Sequence, residues 1–582
     1  YFFYCLTILL TVKERRIDNM KTKTKLLTSA ALLTGVGAVI TKKYFNNKED
    51  IKEPVKITNQ QVYLIGGGLA SMAAAAYLIQ DGHMDGKNIH IFEGMKVLGG
   101  SNDGAGSIEN GFICRGGRML NEETYENFWE LFDRIPSIDH PGQSVTKEIL
   151  DFDHLHPTEA RARLIDRHGK ILDVKSMGFD NNDRLTLGKL MITPESKLDD
   201  ISIEQWFKDT PHFFTTNFWY MWQTTFAFQK WSSVFELKRY MNRMIFEFPR
   251  IETLAGVTRT PYNQYESVIL PIKKYLDRHN VNFITNTTVT DIDFKDDETI
   301  TAKVIHINKN GKEEKIILND NDLCIMTNAC MTDSATLGDY KTPAPKPVER
   351  PISGELWYKV AKKKPNLGNP EPFFNNAKET NWESITVTLR GNKFLKIIEE
   401  FTTNIPGSGA LMTFKDSSWL MSIVIAAQPH FKAQDANTTI FWGYGLYTDR
   451  LGDYIKKPMK DCTGEEIFDE LLYHLHLIDR KEEIKEDIIN VIPCMMPYVD
   501  AQFQPRKMSD RPNVVPKGST NFAMISQFVE IPEDMVFTEE YSVRAARIAV
   551  YKLLGINKPI CKVTPYNKDP KVLKKALETA YR

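Results

Sequence analysis

Hydrophobic residues follow two different spacings along this 582-residue chain. Short runs rich in β-branched residues, such as Val62–Ile65, Ile89–Phe92 and Asp322–Cys330, predict buried parallel strands. Apolar residues three and four positions apart predict helices, as in the stretch 539–554, which ends at Gly555. Strand and helix patterns alternate near the N-terminal third, so we predict an α/β fold.

The first predicted strand leads into a glycine-rich turn and an alanine-rich helix. The turn reads Gly66-x-Gly68-x-x-Ser71, and the next strand ends at Glu93, 25 residues after Gly68. A helix N-terminus of this kind binds a pyrophosphate, and the terminal acid binds a ribose. Gly99-Gly100-Ser101 then follows, a continuation typical of FAD-binding chains. We predict FAD as the cofactor; the alternative is a glycine-rich turn in an unrelated α/β protein.

A second dinucleotide motif is missing from the sequence. Pro406–Leu411 contains two glycines but has neither the preceding strand nor the following helix. The seven cysteines form no C-x-x-C pair. These observations argue against a separate nicotinamide site and against a disulfide reductase.

The predicted FAD-binding part is Rossmann-like and discontinuous, of the glutathione-reductase or amine-oxidase type. Further strand patterns at Asn280–Phe294 and Asn521–Glu530 are needed to complete it. We assign 1–60 to a leader and 61–150, 250–345 and 485–556 to the FAD-binding domain. The remaining ranges, 151–249 and 346–484, form a mixed α+β substrate domain, and 557–582 form a helical tail.

Composition and charge limit which partners the protein can bind and in which cell compartment it is expected. The chain is 42% hydrophobic and 26% charged with a net charge of −1, which gives no field that would attract nucleic acid. Scattered cysteines in odd number do not form a disulfide framework and indicate a reducing compartment. We therefore predict a cytoplasmic protein, with peripheral contact to the inner face of the membrane as an option.

Two segments carry that membrane option. Residues 1–19 precede Met20 and look like an over-extended reading frame, whereas the apolar stretch 26–40 lies between lysines. That stretch is short for a spanning helix and has no clean cleavage site, so we predict a leader or anchor, with a secretory signal peptide as the alternative. The tail Lys571–Arg582 is an amphipathic helix that either contacts a membrane surface or docks onto the protein.

An aromatic-rich segment, Phe213–Trp231, holds nine aromatic residues in 19 positions. It predicts a buried helical core, an apolar channel for a long hydrophobic ligand, or both. The histidines have no metal-ligand spacing, and there is no G-x-S-x-G nucleophile motif. We therefore predict neither a metal site nor a hydrolase nucleophile.

Ordered motifs extend from about Gln61 to about Gly555 and carry a family resemblance. Beyond the glycine turn they are RGGR (115–118), NFWYMWQTTFAFQKW (217–231), ELKRY (236–240), YNQYES (262–267), WLMS (419–422), QPHF (428–431), YGLYTDRLGDY (444–454), CTGEEI (462–467) and FTEEYSVR (537–544). With these motifs the chain is similar to the oleate hydratase family, also called myosin-cross-reactive antigens.

The resemblance implies a flavoprotein that adds water across a cis double bond of an unsaturated free fatty acid, of the oleate or linoleate type. FAD is bound, but the net reaction is not redox. The family's proton donor matches Tyr240, whose pKa Lys238 or Arg239 would lower if either cation lies close. The family's glutamine and histidine near the fatty-acid carboxylate match Gln264 and His430.

The chain departs from the family pattern at the position that follows RGGR. The usual glutamate, which positions or activates the water, is Met119 here, and a thioether cannot act as a base. Glu122 and Glu123 are the predicted substitutes, because a helix beginning here would bring one of them to the face of Met119. Val424 and Ala426 also replace a threonine and an asparagine that many members use toward the carboxylate.

The predicted FAD contacts include the two glycines of RGGR, which would let the chain pass close to the isoalloxazine. The full set is Gly66, Gly68, Ala70, Ser71, Glu93, Gly100, Ser101, Arg115, Gly116, Gly117, Arg118, Val289, Asn328, Gln527, Phe528 and Thr538.

Two other functions stay open on the sequence alone. A flavin redox enzyme or double-bond isomerase acting on a lipid shares the glycine and acid pattern. A fatty-acid-binding relative without catalysis would explain Met119, Val424 and Ala426. The oligomeric state, with a homodimer as one option, is not determined by the sequence.

Overall fold

The computed structural model describes residues 59–102, 104–116, 119–346, 351–409 and 411–582. The predicted leader therefore lies almost entirely outside the described residues. The strands of the described part are β1 (Val62–Ile65), β2 (Ile89–Phe92), β3 (Gly104–Ser107), β4 (Gly111–Cys114), β5 (Leu164–Ile165), β6 (Asn282–Ile284), β7 (Thr287–Phe294), β8 (Ala302–Lys309), β9 (Lys312–Ile317), β10 (Leu323–Thr327), β11 (Thr336–Leu337), β12 (Trp382–Arg390), β13 (Leu411–Phe414), β14 (Met421–Val424), β15 (Thr438–Gly445), β16 (Ile488–Met496) and β17 (Phe522–Ile525).

Helices connect and cover these strands. They are α1 (Leu69–Gln80), α2 (Glu126–Phe132), α3 (Val145–Leu155), α4 (Asn181–Ile192), α5 (Ile203–Trp206), α6 (Asn217–Phe226), α7 (Val234–Arg243), α8 (Leu270–Arg278), α9 (Ile352–Lys363), α10 (Glu371–Phe374), α11 (Ala377–Thr380), α12 (Lys393–Thr402), α13 (Gly464–His474), α14 (Lys481–Lys485), α15 (Glu539–Leu554) and α16 (Pro570–Ala580). A π-helical turn, Tyr265–Ile269, leads into α8.

A five-stranded parallel sheet forms the first layer, in the order β17–β10–β1–β2–β6. Its three central strands are buried on both faces, which suits their continuous apolar sequence. The strands come from distant parts of the chain, so the sheet is discontinuous as predicted. The crossover from β1 to β2 is α1, which gives the β–α–β unit of a Rossmann-like fold.

Helix α1 is buried along nearly its whole length, from Leu69 to Leu78. Five of its residues are alanine or serine in the first two turns, and small side chains allow close approach to the sheet and to α15. A side chain at Gly82, just after α1, would come within 2.7 Å of Leu554 in α15. The contact between these two helices therefore depends on small residues.

The second layer is a seven-stranded mixed sheet, in the order β11–β16–β12–β15–β14–β13–β5. All of its pairs are antiparallel except β13 with β5. The hairpin β3–β4 packs on this sheet, because the backbone N–H groups of Phe112 and Cys114 donate to Thr388 and Thr386 of β12, at 3.0 Å each.

The α/β class, the discontinuous Rossmann-like part, the mixed α+β part and the helical tail are confirmed. One predicted boundary needs correction: β16 lies in the seven-stranded sheet, although 485–556 was assigned to the FAD-binding domain. The cause is that β16 pairs with β12 more than 90 residues upstream, a contact that local pattern does not reveal. The division into domains otherwise stays a prediction.

The C-terminal helix α16 docks onto the body of the protein. Ala576 and Thr579 are buried, and Leu577 lines an apolar contact region with Phe179 and Met241. The apolar face of the tail is thus used within the molecule, which favours docking over membrane contact for this helix. Among the described residues, no helix is long and apolar enough to cross a membrane.

Helix α7 is fastened to the C-terminal third of the chain by buried ion pairs. Glu236 lies 3.0 Å from the guanidinium groups of both Arg506 and Arg511, and all three side chains are almost fully buried. Burial opposes ionisation of Glu236, but the charges of Arg511 and Arg506 outweigh it and lower the pKa of this carboxyl. A buried pair of this kind is costly to break because the partner charge stays buried.

We expect the substitution Glu236→Gln to destabilise the protein by about 3–5 kcal/mol, since it removes the buried counter-charge of Arg511 and leaves Arg506 with Glu530 alone. The free energy of unfolding, measured by denaturant titration, would check this value. Glu483→Gln is the control, because Glu483 pairs with Lys393 and Arg480 at the surface and its loss is expected to leave the unfolding midpoint unchanged. Equal midpoints for the two variants would contradict the role of the buried cluster.

Candidate active site

The glycine turn after β1 is open toward the N-terminus of α1. Gly66 has φ +98°, a conformation that favours glycine, and Gly68 caps the helix without a side-chain hydrogen bond. A side chain at Gly67 would come within 2.6 Å of Leu98 and 2.9 Å of Glu93. A Cβ at Gly68, in contrast, would meet only the Gly100 Cα, at 3.8 Å, so the N-terminus of α1 has room for the pyrophosphate of a dinucleotide.

Glu93 ends β2 beside this turn. Its carboxylate accepts hydrogen bonds from the backbone N–H groups of Gly67 and Met95, at 2.8 Å each, and burial raises its pKa. Gly100 (φ +57°) faces Gly68, so that a Cβ at Gly100 would lie 3.3 Å from the Gly68 Cα. Ala70 and Ser71 begin α1, and Ser101 follows Gly100, so this predicted set gathers around one cradle. The cradle fits the ribose and pyrophosphate of FAD.

Four other predicted cofactor residues meet at the carboxyl ends of β10 and β17. The Asn328 amide donates to the Phe528 carbonyl at 3.1 Å, and the Gln527 amide donates to the Thr538 carbonyl at 2.7 Å. Ser526, between β17 and Gln527, has φ +146°, a region that favours glycine. Its hydroxyl donates to the Asn328 side chain at 2.5 Å, which helps to hold this turn.

The remaining predicted cofactor residues lie on either side of this edge. Val289 is in β7, whose first residue, Thr287, donates its N–H to the Glu93 carbonyl at 2.9 Å. The Arg115 guanidinium donates to the Thr332 carbonyl at 3.0 Å, and Gly116 follows it. Gly117 and Arg118 lie outside the described residues. The predicted FAD contacts stay predictions, but most of those described lie at one edge of the parallel sheet.

A largely apolar cavity adjoins this edge. The seven-stranded sheet contributes side chains from β12 to β15, and α6 with Ala227 after it, α7 and the segments 116–125, 244–257 and 535–539 contribute the rest. Its lining residues are Gly116, Met119, Leu120, Asn121, Tyr125, Thr224, Thr225, Phe226, Ala227, Tyr240, Met244, Glu247, Ile251, Leu254, Gly256, Val257, Trp382, Leu411, Val424, Trp442, Tyr444, Met535, Phe537, Thr538 and Glu539. The lining includes Thr538, a predicted cofactor residue, so cavity and cofactor edge are adjacent.

The aromatic-rich segment contributes to both the core and the cavity. Phe218, Trp219 and Trp222 of α6 are buried against neighbouring rings, as a core helix requires. The end of the helix, at Phe226, reaches the cavity. Both interpretations of this segment therefore hold, each for a different part of it.

Tyr240 lies in the cavity wall on α7 and is 1% exposed. Its hydroxyl donates to the Val536 carbonyl at 2.5 Å, and the rings of Phe226 and Phe228 meet it edge-on. Burial, together with nearby acidic groups such as Glu236, raises the pKa of Tyr240 well above its usual value. The phenol therefore keeps its proton at neutral pH.

Lys238 and Arg239, the cations expected beside this tyrosine, contact other residues. The Lys238 ammonium donates to the Thr193 carbonyl, and the Arg239 guanidinium pairs with Glu195 at 3.1 Å. The idea that either cation lowers the pKa of Tyr240 is thus wrong, because successive residues of a helix point in different directions.

The helix expected near Met119 does not form, which corrects the prediction for Glu122 and Glu123. Leu120 instead pairs with Thr258 in a β-bridge, with N–H to carbonyl distances of 3.1 and 2.9 Å, and α2 begins only at Glu126. Met119 lines the cavity, but neither glutamate does.

Both glutamates point toward other partners. Glu122 is half exposed and lies 3.7 Å from His154, and Glu123 pairs with Arg250 at 2.9 Å. Their proposed role as substitutes for the missing glutamate has no support in this geometry.

Glu247 is a cavity carboxylate that the motif comparison missed. Its side chain is 9% exposed, it accepts a hydrogen bond from the Asn121 amide at 2.8 Å, and it pairs with Arg250. Burial raises its pKa, which the Arg250 charge opposes. The sequence contains a pattern that indicates this residue. Met244 and Glu247 follow Tyr240 at spacings of four and three residues, which place side chains on one helix face, and all three line the cavity.

Gln264 and His430, the predicted carboxylate contacts, lie near each other but outside the cavity lining. The N–H of Asn263 donates to the His430 carbonyl at 2.9 Å, and the Gln264 amide donates to Thr260 at 3.3 Å. Burial, helped by the positive charge of Arg259, lowers the pKa of His430 to about 4. His430 is therefore neutral at physiological pH.

Arg259 is the unpredicted cation at this end of the site. Within the described residues, its Nε and Nη2 atoms are buried and have no hydrogen-bond partner. Its backbone N–H, not its side chain, donates to Asp153. Val257, two residues earlier, lines the cavity, whereas Arg259 itself does not. Buried guanidinium nitrogen atoms without hydrogen bonds are costly and suit an anionic ligand group, and among the described residues the only opposite charge acting on Arg259 is that of Asp153.

Comparison with known proteins agrees with the motifs. The family described as "MCRA family" matches residues 59–551. A linoleate hydratase of Lactiplantibacillus plantarum is 43% identical over 566 residues, covering 90% of this chain and 99% of that protein. An oleate hydratase of Streptococcus pyogenes serotype M49 (strain NZ131) is 37% identical over 521 residues, covering 87% of each.

We expect Gly100→Ala to lower the affinity for FAD at least tenfold, because the added methyl group meets the Gly68 backbone inside the cradle. Fluorescence titration of the flavin-free protein with FAD would measure it. Gly311→Ala is a matched control: φ is +86° and no atom lies within 4 Å, so it carries similar strain, about 1–2 kcal/mol, away from the cradle. Equal FAD affinity of Gly100→Ala and wild type would contradict the assignment of the cradle.

Proposed function

We propose that this chain, which belongs to the MCRA family, is a hydro-lyase that hydrates a cis double bond of an unsaturated fatty acid. The product is a hydroxy fatty acid, and no electrons are transferred overall. The two relatives, named for linoleate and oleate hydration, cover nearly the whole described chain at 43% and 37% identity.

One observation carries this proposal: a buried phenol lies in the wall of an apolar cavity beside a dinucleotide cradle. The cavity has room for a hydrocarbon chain, and its lining is mostly aliphatic and aromatic. Tyr240 provides an acidic proton within that lining. The described lining has three phenols, Tyr125, Tyr240 and Tyr444, in mostly apolar surroundings, which suit an alkene better than a polar substrate.

Tyr240 is the proposed proton donor. An isolated alkene is a poor base, so an acid must deliver a proton to one carbon while water attacks the other. The raised pKa ensures that the phenol is protonated when substrate arrives, and the phenolate left afterwards takes its proton back readily. The hydrogen bond to Val536 fixes the direction of the hydroxyl before reaction.

The proposed cofactor is FAD, held by the cradle of Gly66, Gly68, Glu93 and Gly100 and by the edge formed by Asn328 and Gln527. When bound, FAD supplies an isoalloxazine surface that shapes the adjoining cavity. The residues of the chain then exclude water from the apolar part and hold the substrate against Tyr240.

The proposed headgroup site contains Arg259, Gln264 and His430. A neutral histidine and an amide can donate hydrogen bonds, but Arg259 is the positive charge. With Val424 and Ala426 apolar, that charge takes the place of two hydrogen-bond donors for the fatty-acid carboxylate. A free acid is therefore the preferred substrate over an ester.

We expect Tyr240→Phe to lower kcat at least 100-fold while FAD and oleate affinities stay within about threefold of wild type. Hydroxy acids from oleate and linoleate would be measured by mass spectrometry, and the flavin spectrum would be followed in parallel. Flavin bleaching with substrate would favour a lipid redox enzyme instead. Tight fatty-acid binding without product from the wild type would favour a binding protein.

We expect Arg259→Gln to raise KM for oleate about 10- to 100-fold, because a hydrogen bond to a charged group contributes about 1.5–3 kcal/mol. Binding of methyl oleate is expected to be equally weak in both proteins, since the ester has no charge to lose. Arg161→Gln removes one charge at the surface and serves as the control. An unchanged KM for oleate would contradict the headgroup site.

A further inference from the structure

We propose that Glu247 is the catalytic carboxylate that holds the attacking water and takes its proton. This inference rests on the proposed hydration reaction. It answers the question that Met119 raises, because a chain without the usual glutamate still needs an acceptor for the proton of the water.

Only two carboxylates belong to the described lining of the cavity, Glu247 and Glu539. Glu539 begins α15 and accepts a hydrogen bond from Asn102 at 2.7 Å, next to the cofactor cradle. Glu247 lies on the other part of the wall, joined to the segment that holds Met119. Its partner Asn121 is two residues after Met119, so the two side chains share one region of the cavity.

Hydrogen bonds and packing fix the position of the Glu247 carboxylate. Asn121 and the Arg250 Nη2 atom donate to Oε1, and the Arg250 Nε atom donates to Oε2 at 3.1 Å. A Cβ at Gly256 would lie 1.9 Å from Oε1, so the absence of a side chain there makes room for the carboxylate. Since each carboxylate oxygen can accept two hydrogen bonds, Oε2 keeps one acceptor site within the described contacts.

The charges around Glu247 set its basicity. Burial raises its pKa, Glu123 adds to this through its negative charge, and Arg250 opposes it. A carboxylate with a raised pKa is a stronger base than one at the surface and accepts the proton of a water more readily. The Asn121 amide and the Arg250 guanidinium prevent the side chain from turning away.

The reaction balances with these two residues. The Tyr240 proton forms the new C–H bond at one alkene carbon, and the water oxygen forms the C–O bond at the other. The water proton goes to Glu247 and later returns to the Tyr240 phenolate. One molecule of water is added in total, and no oxidant or reductant is needed.

Arg250 is a positioning residue in this scheme. Arg250 also pairs with Glu123, which does not line the cavity. Glu123 is therefore connected to the cavity only through the Arg250 guanidinium. Glu123 is consequently the matched control for Glu247: it shares the same arginine but does not line the cavity.

The test compares Glu247→Gln with Glu123→Gln in the FAD-loaded full-length protein. We expect Glu247→Gln to lower kcat for oleate at least 100-fold, with oleate affinity and flavin content within about threefold of wild type. Glu123→Gln is expected to change each of the three by less than about tenfold, because it removes only a nearby charge and leaves the cavity carboxylate in place. Glu247→Asp keeps a carboxylate and should recover part of the activity, which excludes misfolding as the cause.

The pH profile separates a chemical role from a structural one. A base must be deprotonated, so log kcat of the wild type should fall as the pH drops through the pKa of Glu247. This decrease of kcat at low pH should be absent from the residual activity of Glu247→Gln. If Glu247→Gln has the kcat of the wild type, or still loses activity as the pH falls, Glu247 is not the base, and the proposed hydration reaction is unaffected. A wild type inactive on every cis-unsaturated acid overturns the proposed function instead.

Discussion

The buried ion pairs of α7 are the constraint on which the site depends. Glu236 is held by Arg506 and Arg511, Arg239 pairs with Glu530 at 2.6 Å, and Arg243 pairs with Asp534 at 3.2 Å. These partners all come from the C-terminal third of the chain, which also completes the parallel sheet. Tyr240 stands among these charged residues on the same helix, so its hydroxyl is placed against the segment after β17. Helix, cofactor edge and cavity are thereby held in one arrangement, at the cost of burying many charges.

The proton-transferring groups and the cation of the proposed site lie at different ends of it. The cavity wall holds Tyr240 and Glu247, whose pKa values burial raises, together with Tyr125, Tyr444 and Glu539. Arg259, two of whose guanidinium nitrogen atoms have no hydrogen-bond partner among the described residues, lies at the other proposed end, beside a neutral histidine. A fatty acid needs this division, because its carboxylate requires a cation whereas its double bond requires a dry acid. The same division accounts for a flavin protein whose reaction transfers no electrons.

Prediction from sequence succeeded where the information is local. The β1–turn–α1–β2 unit, the end of α15 at Gly555 and the tail helix each depend on residues close together in the chain. Prediction failed at Met119, where a helix was expected: Leu120 pairs with Thr258, almost 140 residues away, and this bridge replaces the helical turn. It also failed for the cations beside Tyr240, because Glu195 attracts Arg239 from a distant segment.

The sequence by itself determined the α/β class, the cradle for a dinucleotide and the family, since these depend on short motifs in order. Only the tertiary structure decided which carboxylate lies in the cavity and which cation is left unpaired. Glu122, Glu123 and Glu247 are equivalent as sequence letters. They differ in burial and in partners, which packing sets: the partner of Glu122 lies 32 residues away, and those of Glu123 and Glu247 include residues more than 100 positions away.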